Sequence, residues 1–142
     1  MKNESMSIDD PTLNLIGRSL DLRLKHQGVI ASNIANADTP GFKSMKMDFE
    51  GKLQDAIEQL PVDIEVTDSG HQSLKEMIDD HSVGEVFQDP DAPIQNNGNS
   101  VNRDRELAKL AQEQQMYAAT INTLNKKLAM MKYAITEGGG GR

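Results

Sequence analysis

Leu107-Ala-Lys-Leu-Ala-Gln-Glu-Gln-Gln-Met-Tyr-Ala-Ala-Thr-Ile-Asn-Thr-Leu-Asn-Lys-Lys-Leu-Ala-Met-Met-Lys-Tyr-Ala-Ile135 decides the fold. Leu107, Leu110, Gln114, Tyr117, Ile121, Leu124, Leu128, Met131 and Ile135 recur on alternating steps of three and four. That spacing, with Gln114 as its one polar position, drives a left-handed coiled coil. Ala111 and Ala118 flank the stripe and let a partner helix approach closely. Gly138 to Gly141 ends the helix and leaves a flexible tail.

A second amphipathic run lies at the other end of the chain. Asp9-Asp10-Pro11-Thr12 is a helix start signal, with acidic residues ahead of an early proline. Leu13, Ile16, Leu20, Leu24, Ala31 and Ile34 follow at helical spacing, and Leu15, Leu22 and Val29 form a second stripe. Such a broad face touches more than one neighbour. Asp38-Thr39-Pro40-Gly41 stops the run, because Pro40 disfavours helix at Thr39 and Pro-Gly favours a tight turn.

Between the helices the signals are weaker. Met45, Met47 and Phe49 alternate with polar residues, as in a short strand. Phe49 to Leu60 reads as a short helix through Leu53, Ala56 and Ile57, ended by Pro61. Val62, Ile64 and Val66 alternate as a strand, and Leu74 to Ile78 spans one or two helical turns. Gln88 to Ser100, rich in Pro, Gly, Asn and Asp, reads as loop. The expected fold is mainly α: two long terminal helices paired antiparallel as a coiled coil, around a small, partly ordered acidic insert with a short helix and short β segments. The expected segments are 1–36, 37–100 and 101–142, with the stretch 52–93 least defined.

Charge follows the same division: net 0 over residues 1–36, -10 over 37–100 and +3 over 101–142. The acidic middle would repel nucleic acid phosphates. No Trp, two Tyr, three Phe and a mean hydropathy of -0.58 are sparse for a compact globule of 142 residues. Small chains of this kind bury a low fraction of their surface. The absence of Cys removes disulfides and thiolate sites. Met1 to Asp10 is polar, so no cleaved signal peptide is expected, and no apolar run approaches the ~20 residues that span a bilayer.

The turn region carries a further pattern, Leu20-Asp-Leu-Arg-Leu-Lys-His-Gln-Gly-Val-Ile-Ala-Ser-Asn-Ile-Ala-Asn-Ala-Asp-Thr-Pro-Gly-Phe-Lys43. An amide at Asn33 or Asn36, set among small alanines, can bond across a helix interface and fix register, as a buried Asn does in coiled coils. The same residues also read as a helix end with an Asn cap. The whole string resembles the N-terminal signature of the bacterial flagellar axial proteins, the rod and hook subunits. Asn97-Gly-Asn-Ser-Val-Asn-Arg-Asp-Arg-Glu106, through Tyr117, is similar to the opening of the C-terminal helix in short rod proteins. There Ser100 or Asn102 is placed to cap, and Asp104 and Glu106 to complement the helix dipole. Met131-Lys-Tyr-Ala-Ile-Thr-Glu-Gly138 also resembles a rod-protein C-terminus. The related short rod protein FlgC usually has Asn-Leu-Ala-Asn and a different turn, so the likeness is to the proximal-rod branch. Asn97 where Asp is common, Gln114 where Asn is common and Phe42 where Tyr is frequent are mild departures.

The resemblance implies a self-assembling structural subunit of the basal-body rod that transmits torque by packing. It implies as partners copies of the chain, FlgC, the rod-base adaptor FliE, the inner-membrane ring and the export gate. It places the chain in the periplasm-spanning rod, exported through the flagellar type III apparatus. The expected assembly seam is Leu13, Ile16, Leu20, Leu24 and Ile34 against Leu107, Leu110, Tyr117, Ile121, Leu124 and Leu128. Asn33, Asn36, Pro40, Gly41 and Phe42 would set register and turn.

Other classes fit less well. His71, Asp79, Asp80 and His81 lie close together, but no ligand pair falls at i, i+4 on a firm helix, so no metal is expected. No phosphate loop follows a strand, and no Ser stands in a nucleophile context. No enzyme, cofactor or nucleic-acid function is expected. A membrane-surface helix is disfavoured by few basic residues and no flanking aromatics on the first helix. A helical-hairpin adaptor or chaperone would explain the heptads. It leaves the Asn33/Asn36 string and its counterpart at the other end unexplained.

Overall fold

The computed structural model describes residues 10–59 and 85–138. Within them the chain runs α1 (Pro11–Ala35), β1 (Met45–Met47), α2 (Phe49–Glu58), β2 (Val86–Gln88) and α3 (Arg103–Gly138). The predicted strand at 62–66, the turns at 74–78, the residues Leu60 and Pro61, and most of the glycine tail lie outside the described residues.

Pro11 opens α1 at a position where its missing N–H costs nothing, and the Asp10 carboxylate accepts from Thr12 N at 2.8 Å. The helix ends at Ala35, earlier than Asp38-Thr39-Pro40-Gly41 suggests. Asn36 forms the cap, its side-chain amide donating back to Ser32 O at 2.9 Å. Asp48 caps α2 through Gly51 N, at 3.0 Å, and this turns Phe49 into the helix rather than letting β1 continue. Asn102 rather than Ser100 caps α3, its Oδ1 accepting from Arg105 N at 3.0 Å. Asp104 and Glu106 sit in that first turn, where the helix dipole favours acids.

The two long helices run antiparallel. Asp10 at the start of α1 pairs with Lys127, Arg23 and His26 meet Glu113, and Asn33 near the end of α1 reaches Glu106. α1 is also the platform for α2 and β1. Arg18 donates to Gln59 beyond the end of α2, at 3.2 Å. β1 and β2 form a two-stranded antiparallel ribbon in the register Met45↔Gln88, Lys46↔Phe87, Met47↔Val86. The strand β2 corrects the sequence expectation at Gln88, which belongs to the ribbon and not to the loop. Three residues without strict alternation leave too weak a periodicity to read in advance.

Among the described residues the buried set mixes apolar and polar in nearly equal measure. Ile16, Leu22, Val29, Ile30, Ala37, Met47, Ala56 and Val101 are joined by Ser19, Arg23, Asn33, Ser44, Asn99, Ser100 and Glu106. Buried polar groups cost free energy unless paired, so their partners decide which arrangement of the helices is acceptable.

Candidate functional site

The inner face of α3 is turned by one residue from the stripe read in the sequence. Leu110, Tyr117, Leu124 and Met131 are half-buried toward the fold, as one apolar row. Beside them runs a second row, seven residues apart: Glu106, Glu113, Thr120 and Lys127. Three of these four bind α1, Glu106 with Asn33, Glu113 with Arg23 and Lys127 with Asp10. Ile121 is half-buried between the rows, while Gln114 is exposed.

Of the residues expected at the seam, Leu24, Leu107 and Leu128 face away from the intrachain helix pair. They are 51%, 47% and 46% exposed and take no part in the intrachain core. Glu106, Glu113 and Lys127 turn inward in their place and find partners in Asn33, Arg23 and Asp10, so none of the three is left buried and unpaired. On α1 Ile16 is buried and Leu13, Leu20 and Ile34 are half-buried. Leu22, Arg23, Val29 and Ile30 are the residues that complete its buried side.

At the centre of the pair, Arg23 Nη1 lies 3.1 Å from Glu113 Oε2, and His26 Nδ1 lies 3.3 Å from Oε1. The Arg23 guanidinium also covers the Phe49 ring at 4.7 Å, and His26 stacks on the same ring at 5.9 Å. Glu113 thus binds Arg23 and lies beside His26, whose Nδ1 makes no hydrogen bond, and α2 supplies the aromatic lid.

The other end is a polar clasp in which the two signature strings meet. Asn33, 1% exposed, treats β1 as a strand edge. Its Oδ1 accepts from Met45 N and its Nδ2 donates to Met45 O, both at 2.8 Å, while Nδ2 also donates to Glu106 Oε2 at 2.9 Å. Lys109 Nζ holds the other Glu106 oxygen at 2.5 Å. Asn36, by contrast, stays local as a cap and bonds to Thr39 Oγ1 at 3.3 Å. It does not cross to another element.

Thr39-Pro40-Gly41-Phe42 closes as a turn, Phe42 N donating to Thr39 O at 3.2 Å, with Gly41 at φ 74°. Proline before a positive-φ glycine is the signature of a type II turn. Gly98, at φ 78°, packs against it: a Cβ there would sit 3.4 Å from Gly41 Cα. Gly41 N donates to Asn97 O at 3.0 Å, Ser100 N to Phe42 O at 3.0 Å, and Lys43 Nζ to Gly98 O at 3.0 Å. Ser100 Oγ accepts from Ser44 N at 2.8 Å, which occupies the hydroxyl the sequence offered as a cap.

Asn99 is the hub. It is fully buried, and its Nδ2 faces the carbonyls of Asn36, Ala37 and Thr39 at 2.9, 3.1 and 2.7 Å. Its Oδ1 accepts from Val101 N at 2.6 Å. One side chain thus ties the carbonyls of the turn that follows α1 to the chain that enters α3. Outside the clasp, Arg103 pairs with Asp38.

The cross-chain ties of Asn99, Glu106, Arg23 and Glu113 escaped the sequence reading, which gave Glu106 only a place at the helix dipole. The available signal was the polar repeat Glu106, Glu113, Thr120, Lys127 at seven-residue spacing. Among the described residues no group of three His, Asp or Glu is placed to hold a metal ion, and no helix is long and apolar enough to cross a membrane. His71, Asp79, Asp80 and His81 lie outside the described residues. Among the described residues the site is a set of packing faces and ties.

Comparison with known proteins matches residues 19–43 to the flagella basal body rod protein family. The chain is 32% identical over 133 residues to the flagellar basal body rod protein FlgB of Bacillus subtilis (strain 168), covering 94% of this chain and 99% of that protein. It is 30% identical to FlgB of Salmonella typhimurium, over 91% of this chain and 96% of the other. FlgB of Borreliella burgdorferi is 36% identical over 74% of this chain and 81% of its own length. The family match spans α1 from Ser19 onward and the Pro40-Gly41 turn.

Proposed function

The chain belongs to the FlgB family of flagellar basal-body rod proteins, and we propose that it joins its neighbours through the apolar positions its own fold leaves uncovered. It is a structural subunit of the rod, and its work is mechanical. Torque passes through packed faces without chemistry.

The observation that carries the assembly reading is the row left outside the intrachain pair. Leu107, Leu128 and Ile135 on α3 are 47%, 46% and 57% exposed, with Leu24 at 51% on α1. Met130 and Tyr133 are also exposed near the end of α3, on another side of the helix. Exposed apolar stripes of this kind mark interaction surfaces. Their neighbours are copies of this chain, FlgC and the rod-base adaptor FliE, with the inner-membrane ring and export gate at the base. Delivery is through the flagellar type III apparatus. The clasp of Asn33, Asn36, Pro40, Gly41 and Phe42 sets the angle at which α1 hands the chain to the ribbon, and so orients the outward row.

The chain has no cysteine, so single cysteines introduced at Leu107 or Leu128 report cleanly. Oxidative crosslinking of Leu128→Cys should yield disulfide-linked copies of the chain, while Leu110→Cys, facing inward, should not. Equal crosslinking at both positions, or at neither across a wide concentration range, would overturn the assignment of the outward row.

A further inference from the structure

Asn97-Gly98 is the single Asn-Gly step in the chain, and it lies inside the clasp. Asparagine before glycine is the step most prone to cyclise, since glycine presents an unhindered backbone nitrogen. We propose that Asn97 is a spontaneous deamidation site which closing of the clasp shuts off, and that its isoaspartyl product prevents the clasp from closing again.

The chemistry needs only this chain and water. Gly98 N attacks Asn97 Cγ, forming an N–C bond, and the Cγ–Nδ2 bond breaks to release ammonia. Water then opens the succinimide at either carbonyl, giving aspartate or isoaspartate. Nothing is oxidised or reduced.

In the folded chain each participant is already engaged. Gly98 N donates to Gln95 O at 2.9 Å, and Asn97 Oδ1 accepts from Asn99 N at 3.1 Å. Asn97 O accepts from Gly41 N at 3.0 Å, and Gly98 packs against Gly41. Attack requires Gly98 N to leave Gln95 O and the Asn97 side chain to swing away from Asn99 N. The surrounding backbone is held by the fully buried Asn99. Reaction from the native state therefore waits on local opening, whereas the unfolded chain reacts freely.

The two products differ in consequence. Aspartate keeps an acceptor for Asn99 N and faces solvent at an exposed position. Isoaspartate adds a methylene to the main chain between residues 97 and 98. That shifts Asn97 O from Gly41 N and moves Gly98 away from its place beside the Gly41 backbone. Chains that linger unfolded would thus lose the ability to join their two ends.

The test incubates the full chain at one pH and temperature, native and in concentrated urea, and follows residue 97 by peptide mass mapping with isoaspartate quantification. Deamidation at Asn97 should run at least about tenfold faster in urea, as an opening equilibrium of that size implies. After urea removal, isoaspartyl chains should fall in the protease-sensitive fraction and aspartyl chains in the resistant one. Asn99→Ala, which loosens the clasp, should raise the native-state rate toward the urea value. Equal rates in both conditions, or isoaspartyl chains that refold as well as unmodified ones, would overturn the proposal.

Discussion

Asn33 and Glu106 are separated by 73 residues of sequence and by 2.9 Å in the fold. The amide that donates to Glu106 also pairs both ways with Met45, so one buried side chain joins α1, β1 and α3. This contact, with Arg23–Glu113 and Asp10–Lys127, aligns two helices that apolar stripes alone would let slide.

Asn33→Ala should lower unfolding stability by about 1–3 kcal/mol, because Met45 and Glu106 are left buried with fewer partners. Asn33→Asp should be worse, since it sets a second carboxylate beside Glu106 in a buried site. Urea unfolding checks both, and equal stability of the two variants would contradict the role of the amide donor.

Gly41→Val should destabilise the fold by roughly 1–3 kcal/mol, since a β-branched residue is forced to positive φ. Gly98→Val should cost more, because its side chain also meets the Gly41 backbone. The checks are thermal melts and rod formation; wild-type behaviour of Gly41→Val would show that the positive φ is dispensable.

Leu124→Asp and Leu128→Asp should separate folding from assembly. Leu124 faces α1, so the first substitution should unfold the helix pair and abolish motility. Leu128 is 46% exposed, and the second should leave helix content unchanged while removing crosslinks and swimming. Circular dichroism and a motility assay read the two effects, and matching outcomes for both would refute the division of α3 into inner and outer rows.

Acid should release the outer end of the helix pair. The hydrogen bond from Lys127, with that from Thr12 N, holds the Asp10 carboxyl below the usual carboxylate range. A lowered folded value means that the tie contributes above the unfolded value and is lost as pH falls through the folded one. NMR titration of Lys127→Ala should return Asp10 upward toward the ordinary range. The stability gap between variant and wild type should be present at neutral pH and vanish in strong acid. A gap that persists there would show that Lys127 acts by packing alone.

Much of this was legible along the chain. Pro11 and Asp10 announce the start of α1, Pro40-Gly41 the turn, and the heptads of residues 107–135 a helix long enough to need a partner. Each is a local property, set by backbone sterics or by side-chain period, and needs no knowledge of neighbours. The acidic middle was legible as composition. The string at residues 31–43 and its counterpart at 97–106 were legible as kin to each other's family, but not as contact partners.

The roll of α3, by contrast, belongs to the tertiary structure. Leu107, Leu128 and Ile135 carry the apolar period as well as Leu110, Tyr117 and Leu124 do, and periodicity cannot rank them. The choice follows from Glu106, Glu113 and Lys127, whose partners Asn33, Arg23 and Asp10 lie at the opposite end of the sequence. Asn99 is the same case: on the chain it is one more loop amide, and in the fold it holds three carbonyls of the turn that follows α1. Period and turn chemistry are short-range and appear in any window of residues, whereas satisfying a buried polar group needs two distant windows at once, and only folding brings them together.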